Sequence, residues 1–369
     1  MYYKLKKDVG CEGVLRMSDE KGKRIVWIDF AKYIAILLVI VGHISSWAHP
    51  QYKAIYIAIY SMHMPFFFIL SGLTFKVNKE ETIKSFIKRK ARAIFPPLLL
   101  FGLIEIAFQM LFGELIDKLS VKYIMRSILL MNGGLFSKYW FLPALFVAET
   151  ILFLVFKLLD NDKYKMFAVL VISLGGDALS YLLNYHMPLY FESGVFATLF
   201  IYSGFIFKKV VLPKEAKRKI CIIGSFIFTV TNILMLSRYD ITDDVFSMTY
   251  RNPVVFLITA FSGSIVLLIL CSTQNSKSFF TEVGKQTLYI YGFHYCIFSI
   301  LRGIELKVLH VQHYLPDFLL MLVEIIVTLL LTYTCAEMWQ YVCKEFKIWS
   351  KNKVVPDKAL KPETIKKQG

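Results

Sequence analysis

Residues 25–44 of the chain read Ile-Val-Trp-Ile-Asp-Phe-Ala-Lys-Tyr-Ile-Ala-Ile-Leu-Leu-Val-Ile-Val-Gly-His-Ile. The run is apolar for most of its length and is long enough to cross a bilayer as one helix. Lys32 and His43 are eleven residues apart, so a helix places them within roughly 20° of each other and ~16 Å apart along its axis. Asp29 falls on nearly the same face. Ionisable groups in membrane helices usually face the bundle interior or a polar cavity, so this stretch predicts a buried polar site.

The composition of the whole chain is that of a membrane protein. Hydrophobic residues make up 56% of its 369 residues and charged residues only 19%. We expect an all-α fold, a polytopic transmembrane helix bundle of about ten spans, because the apolar runs are too long for barrel strands. The predicted spans are 26–46, 54–75, 93–112, 139–157, 166–184, 194–208, 219–236, 253–272, 286–305 and 317–342.

The basic residues are distributed very unevenly between the loops. The formal net charge is +16, and 33 of the 43 Lys and Arg residues lie in segments that ten spans would place on the same side as both termini. This asymmetry predicts cytoplasmic termini and contacts with membrane lipid, and we expect no nucleic-acid partner. The predicted organisation is a basic cytoplasmic segment (1–24), a ten-helix membrane domain (25–343) and a basic, disordered cytoplasmic tail (344–369).

Two histidines are the main catalytic candidates. The imidazole of His43 can act as a general base on a hydroxyl or can itself accept a transferred group. His63 lies within the second span, and Pro65 after it can kink the helix by freeing a backbone carbonyl one turn earlier. His63 is therefore either a structural residue at a distorted turn or a second functional group. The histidines lack the spacing of a zinc motif, so we expect no metal.

A short basic run precedes the third span. Arg89 and Arg92 lie one helical turn apart, and guanidinium groups suit phosphate oxygens. Together with Lys32 they form a predicted cationic mouth for a phosphate-bearing cosubstrate. The alternative is ordinary positive charge on the cytoplasmic side of the membrane.

Four further residues are candidates for supporting roles. Trp140 opens the fourth span and is either an interfacial anchor or part of a site. Glu149 in the same span is either a paired structural acid or a functional one. Asp29 lies three residues before Lys32, at ion-pair spacing in a helix. His294 lies about two turns into the ninth span.

Together these stretches resemble the integral-membrane acyltransferase 3 family, in its fucose 4-O-acetylase-like branch. The resemblance covers roughly residues 24–343. It is carried by Ile28-Asp29-Phe-Ala-Lys32 through Gly42-His43, by His63-Met-Pro-Phe-Phe-Phe-Ile-Leu-Ser-Gly72, by Arg89 and Arg92, by Trp140-Phe-Leu-Pro, and by Leu288-Tyr-Ile-Tyr-Gly-Phe-His294.

The resemblance implies an O-acyltransferase of the cell membrane, as in the plasma membrane of a bacterium. Its donor would be an acyl-CoA, usually acetyl-CoA, and its acceptor a sugar hydroxyl of a surface glycan or a lipid-linked sugar. By position, His43 matches the family's essential histidine. Lys32 stands where much of the family has arginine, and it keeps the charge without the bidentate fork. Arg89 and Arg92 match the family's basic motif at the third span. His63 and His294 occupy positions at which histidines recur in the family.

Two other classes of protein share some of these features. A ten-span transporter or flippase for a glycan or small metabolite would explain the apolar composition and the buried charges. It would gain nothing from the alignment of Lys32 with His43. A glycan polymerase or ligase usually has a large outer loop with essential arginines, and the longest predicted outer loop (113–138) carries few.

Overall fold

The computed structural model of the chain describes residues 25–353, apart from 48, 113–119, 133, 184, 211, 239–244, 247–251 and 308–316. Within these residues the fold is helical, with no β-strand, which confirms the predicted all-α class. The α-helices are α1 (Val26–Trp47), α2 (Lys53–Tyr60), α3 (His63–Thr74), α4 (Ile83–Phe112), α5 (Val121–Leu130), α6 (Phe141–Leu158), α7 (Asp162–Leu183), α8 (Phe191–Phe207), α9 (Lys214–Arg238), α10 (Pro253–Cys271), α11 (Phe279–Lys285), α12 (Thr287–Lys307) and α13 (Asp317–Lys353).

The helices define a multi-pass membrane protein. In the described part of the chain, nine stretches are helical, long and apolar enough to cross a membrane, and they correspond to nine of the ten predicted spans. The remaining predicted span, 286–305, coincides with α12, which has 21 residues. That helix is more polar because it carries His294, Arg302 and Glu305. Which side of the membrane holds the termini stays a prediction.

The second predicted span is broken into two helices. The first helix, α2, ends at Tyr60, and the second, α3, begins at His63. Pro65 is the third residue of α3. Proline has no backbone N–H, so the carbonyl of Ser61 loses its helical partner. The carbonyl of Ile59, in the last turn of α2, accepts a hydrogen bond from His63 Nδ1 at 2.9 Å. The histidine thus stabilises the break that the proline favours.

Two helix ends differ most from the predicted boundaries. α4 begins ten residues before the predicted span 93–112, because charged residues end a membrane-crossing segment without ending the helix that continues into the headgroup region. α13 continues to Lys353, so the first ten residues of the predicted tail 344–369 are helical. The rest of that tail and the predicted segment 1–24 lie outside the described residues.

Two helices occupy the centre of the bundle. α8 packs against α3, α6 and α7, whereas α1 packs against α2, α3, α11, α12 and α13. α3 therefore joins the two groups. The peripheral helices α7 and α9 expose large apolar side chains such as Phe167 and Phe226, as expected of surfaces that meet lipid.

Glycine allows the closest approach in this core, between α3 and α8. A Cβ atom at Gly72 would overlap the backbone carbonyl oxygen of Ile201, and one at Gly204 would overlap that of Ile69. Small residues let membrane helices approach until their backbones touch, and the resulting dispersion contacts stabilise the pair. The crossing therefore requires glycine on both helices.

Replacing Gly72 with alanine should destabilise the protein by about 1–3 kcal/mol, the usual cost of overpacking. The control is Gly175→Ala on α7, where an added Cβ meets nothing within 4 Å. That change should be neutral or stabilising by up to ~1 kcal/mol, because alanine is the better helix former. Thermal unfolding in detergent measures both, and equal melting temperatures for the two variants would contradict the proposed crossing.

Candidate active site

His43 lies in the second half of α1 and contacts two tyrosines from other helices. Its Nδ1 is 2.7 Å from the hydroxyl of Tyr60 on α2 and 3.3 Å from that of Tyr295 on α12. A phenol donates to the nitrogen or accepts from it, depending on the imidazole tautomer. The two contacts hold the ring in a defined orientation inside the bundle.

A second imidazole stacks on the first. The ring of His294 lies 5.3 Å from that of His43, centroid to centroid, with 21° between the ring planes. Its Nδ1 donates to the backbone carbonyl of Tyr291 at 2.7 Å. The proton of a neutral His294 is thereby placed on Nδ1, so Nε2 carries the lone pair. That Nε2 atom is buried and has no hydrogen-bond partner among the described residues.

His63 reaches the same region from the start of α3. Its ring centroid is 4.8 Å from that of Tyr60, so this tyrosine lies between His63 and His43. The bond from His63 Nδ1 to the carbonyl of Ile59 again leaves the lone pair on Nε2. His63 therefore bonds to the last turn of α2 at the break between α2 and α3, and its ring also contacts Tyr60 beside His43.

His43, His63, Tyr60 and Tyr295 line a cavity of about 310 Å³, which we name the histidine cavity, whereas His294 is not among its lining residues. Its other polar lining residues are Tyr56, Tyr291, Ser137 and Lys138. The predicted supporting residue Trp140 lines the same cavity, with its ring 5.6 Å from that of Phe246. An interior cavity with several convergent polar groups is the usual form of a small-molecule site.

Lys138 brings a positive charge to this cavity. Its Nζ lies 2.8 Å from Glu105 Oε1 on α4 and 5.2 Å from the ring centroid of Tyr295. The same carboxylate oxygen accepts a bond of 2.8 Å from the amide of Gln109. The ammonium is thus held in the cavity wall by a buried acid.

A second cavity of about 220 Å³ contains Lys32 in its lining, and we name it the lysine cavity. Most of its walls are apolar, with hydroxyl groups from Ser71, Thr74 and Thr287. Lys32 Nζ is 3.8 Å from the carboxylate of the buried Asp29, as the i, i+3 spacing predicts. Met64 and Tyr291 line both cavities. The face of α1 that carries Lys32 and His43 therefore borders two adjoining cavities, with one of these residues in each.

The two predicted phosphate-binding arginines are exposed near the start of α4. The guanidinium of Arg89 donates to Glu81 through Nε at 3.0 Å and Nη2 at 2.9 Å. These bonds hold the pKa of the Glu81 carboxyl below its ordinary value. Neither Arg89 nor Arg92 is among the described residues that line the lysine cavity. Their role in binding a donor stays a prediction.

Glu149 on α6 is paired with a different basic residue. Its carboxylate lies 2.6 Å from Nζ of Lys90 on α4, and both side chains are largely buried. Glu149 is not among the residues that line the two cavities. The pair joins α4 to α6, and a supporting role of Glu149 at the site stays a prediction.

Sequence reasoning missed the partners that complete the site. Tyr60, Tyr295 and Lys138 were not distinguished from the many tyrosines and loop lysines of the chain. The one available signal was spacing: Tyr60 lies three residues before His63, and Tyr295 directly follows His294. In the part of the chain that the structure describes, no group of three or more His, Cys, Asp and Glu side chains is placed to hold a metal ion.

The fold and the site define a class: multi-pass helical membrane proteins with a histidine-lined interior cavity. The family model described as "Acyltransferase domain", that of acyltransferase 3, matches residues 25–337. The match extends from the start of α1 into α13 and includes every residue of the two cavities. The chain therefore belongs to the acyltransferase 3 family, and this membership supports an acyltransferase activity.

One curated relative is nodulation protein NolL of Sinorhizobium fredii (strain NBRC 101917 / NGR234). It is 26% identical to the chain over 305 residues, which span 73% of this chain and 76% of the relative. No solved structure matches the chain.

Removing one partner of the Lys90–Glu149 pair should destabilise the bundle. Glu149→Leu leaves the Lys90 ammonium without its carboxylate, so we expect a loss of about 1–3 kcal/mol of unfolding free energy. The double variant Glu149→Leu with Lys90→Leu should recover at least half of that loss, because no unpaired charge remains.

The matched control for this pair is the ion pair of Lys79 and Asp160, whose side chains are 83% and 94% exposed. Asp160→Leu should leave the melting temperature nearly unchanged, because exposed pairs contribute little. Thermal unfolding in detergent compares all variants. Purely additive losses in the double variant would show that Lys90 and Glu149 act independently.

Proposed function

We propose that the chain is a membrane O-acyltransferase that moves an acyl group from cytosolic acyl-CoA to a sugar hydroxyl. The acyl group we favour is acetyl, and the acceptor belongs to a cell-surface or exported polysaccharide or to a lipid-linked sugar. We further propose that it works in the plasma membrane of a bacterium. Family membership and the bacterial relative support these assignments.

The observation that carries the proposal is the pair of adjoining cavities along one face of α1. The lysine cavity lies toward the predicted cytoplasmic end of this helix and the histidine cavity toward the other end. The anionic phosphates of CoA would bind near Lys32, with Arg89 and Arg92 as further candidates. The pantetheine arm would pass through the lysine cavity and bring the thioester to His43.

His43 can carry the reaction as a general base. In the tautomer that this role needs, Nδ1–H donates to the hydroxyl of Tyr60 and Nε2 keeps the lone pair. Nε2 takes the proton of the acceptor hydroxyl while its oxygen attacks the thioester carbonyl carbon. The carbon–sulfur bond then breaks, and the proton passes to the leaving thiolate, which gives an ester and free CoA thiol.

A second route uses the same residue as a nucleophile. The imidazole would take the acyl group from the thioester and pass it to the sugar oxygen in a separate step. His63 and His294 are close enough to the site to assist with proton transfer in either route. In both routes Lys138 places a positive charge in the wall of the cavity in which negative charge develops on the carbonyl oxygen.

The arrangement favours this reaction over a transporter or flippase. A transport pathway does not require a histidine oriented by two tyrosines, whereas proton transfer requires a defined ring orientation. Consumption of acyl-CoA separates the two functions, because a transporter would move its substrate without releasing CoA thiol.

Replacing His43 with glutamine should lower acyl transfer by roughly 10²–10⁴-fold, the usual contribution of general acid–base catalysis. The measurement is radiolabel transferred from acetyl-CoA to the glycan fraction of membrane vesicles from the source cells, with each variant replacing the wild-type chain. The matched control is His49→Gln. His49 is also buried, but it bonds to Glu324 through Nε2 at 3.0 Å and is not among the residues lining either cavity. Wild-type transfer by folded His43→Gln protein would reject the proposed role.

Replacing Lys32 with methionine keeps most of the length of the side chain and removes its charge. The KM for acetyl-CoA should rise by roughly tenfold, because a hydrogen bond to a charged group contributes about 1.5–3 kcal/mol. Lys32→Arg should restore a low KM, since it returns the charge. The control is Lys214→Met, at an exposed lysine that begins α9. An unchanged KM in Lys32→Met would remove this residue from the donor site.

A further inference from the structure

Met64 and Tyr291 form the partition between the lysine cavity and the histidine cavity. Both side chains line both cavities, and their exposed fractions are only 5% and 7%. The shortest route from one cavity to the other therefore runs beside these two side chains. Under the proposed function, the group that does so is the acyl thioester.

The tyrosine side of this partition is fixed. The hydroxyl of Tyr291 donates to the backbone carbonyl of Lys138 at 3.1 Å. Its ring makes an edge contact with Phe141 at 5.9 Å between centroids. Its backbone carbonyl accepts the Nδ1–H of His294 at 2.7 Å. Both ends of the residue are therefore held by hydrogen bonds, and its ring by packing.

The methionine side is adaptable. Met64 is the second residue of α3, directly after the break that separates this helix from α2. Methionine is unbranched, has several rotatable bonds and carries a soft thioether, so it changes shape at small cost. Of the two shared lining residues, Met64 is therefore the one that can change shape to admit a larger group.

We propose that Met64 is a specificity-determining residue that limits the size of the acyl group that reaches His43. This inference rests on the proposed acyl transfer. For every acyl group the balance is the same: the thioester carbon–sulfur bond breaks, an ester carbon–oxygen bond forms, and the hydroxyl proton ends on the CoA thiol. What changes is the number of carbon atoms that must fit between Met64 and Tyr291.

The test compares acetyl-CoA with butyryl-CoA as donors. Membrane vesicles from source cells carrying each variant in place of the wild-type chain receive either radiolabelled donor, and label in the glycan fraction gives kcat/KM. Met64→Ala widens the partition, so the butyryl-to-acetyl ratio of kcat/KM should rise by about tenfold or more, as expected when a pocket accommodates extra methylene groups. Met64→Val serves the same purpose if the alanine variant does not accumulate.

Met62 supplies a matched control in the same turn of the chain. Its Sδ atom faces α10, where a Cβ at Gly263 would come within 2.7 Å of it. It lines a separate cavity of about 130 Å³ together with Ser225 and Phe228. Met62→Ala removes the same atoms two residues away, so it should leave the butyryl-to-acetyl ratio at its wild-type value.

The possible outcomes separate the two proposals. A changed ratio in Met64→Ala but not in Met62→Ala supports the inference. An unchanged ratio in folded Met64→Ala protein, or equal changes in both variants, overturns it and leaves the proposed function in place. Failure of the wild-type chain to transfer label from either donor overturns the proposed function itself.

Discussion

A polar side chain inside an apolar helix bundle must find its hydrogen-bond partners within the protein, because lipid offers none. His43 meets this requirement through the phenols of Tyr60 and Tyr295, which come from two other helices. The same two contacts join α1 to α2 and to α12. The histidine cavity is therefore part of the packing of the bundle, and these three side chains belong to the fold as well as to the site.

The sequence predicted the course of the helices well, for a physical reason. A membrane span has to be continuously apolar, and this requirement is visible residue by residue. The effect of Pro65 was also visible, since a missing N–H disturbs a helix wherever the helix lies. The start of α4 and the end of α13 were not, because charge and helical structure are compatible outside the hydrocarbon region.

The site was predicted less completely. Helical periodicity placed Lys32 and His43 on one face, and both residues line the adjoining cavities. The partners of His43 could not be predicted, because Tyr295 lies 252 residues further along the chain and only the packing of α12 on α1 brings it near. Arg89 illustrates the opposite case. Its sequence context predicts phosphate binding, with ordinary cytoplasmic charge as the alternative, and in the structure it bonds to Glu81.

The glycine contact between α3 and α8 has a mechanical consequence. Gly72 lies against the backbone of α8 near one end of α3. The other end of α3 follows the break between α2 and α3. A stiff segment that is clamped at one end behaves as a lever, and its displacement grows with distance from the pivot. His63 and Met64 stand at the end of α3 that is far from this contact, and both side chains are buried. A tilt of α3 about the glycine contact would therefore displace the residues where the two cavities adjoin more than it would displace Gly72.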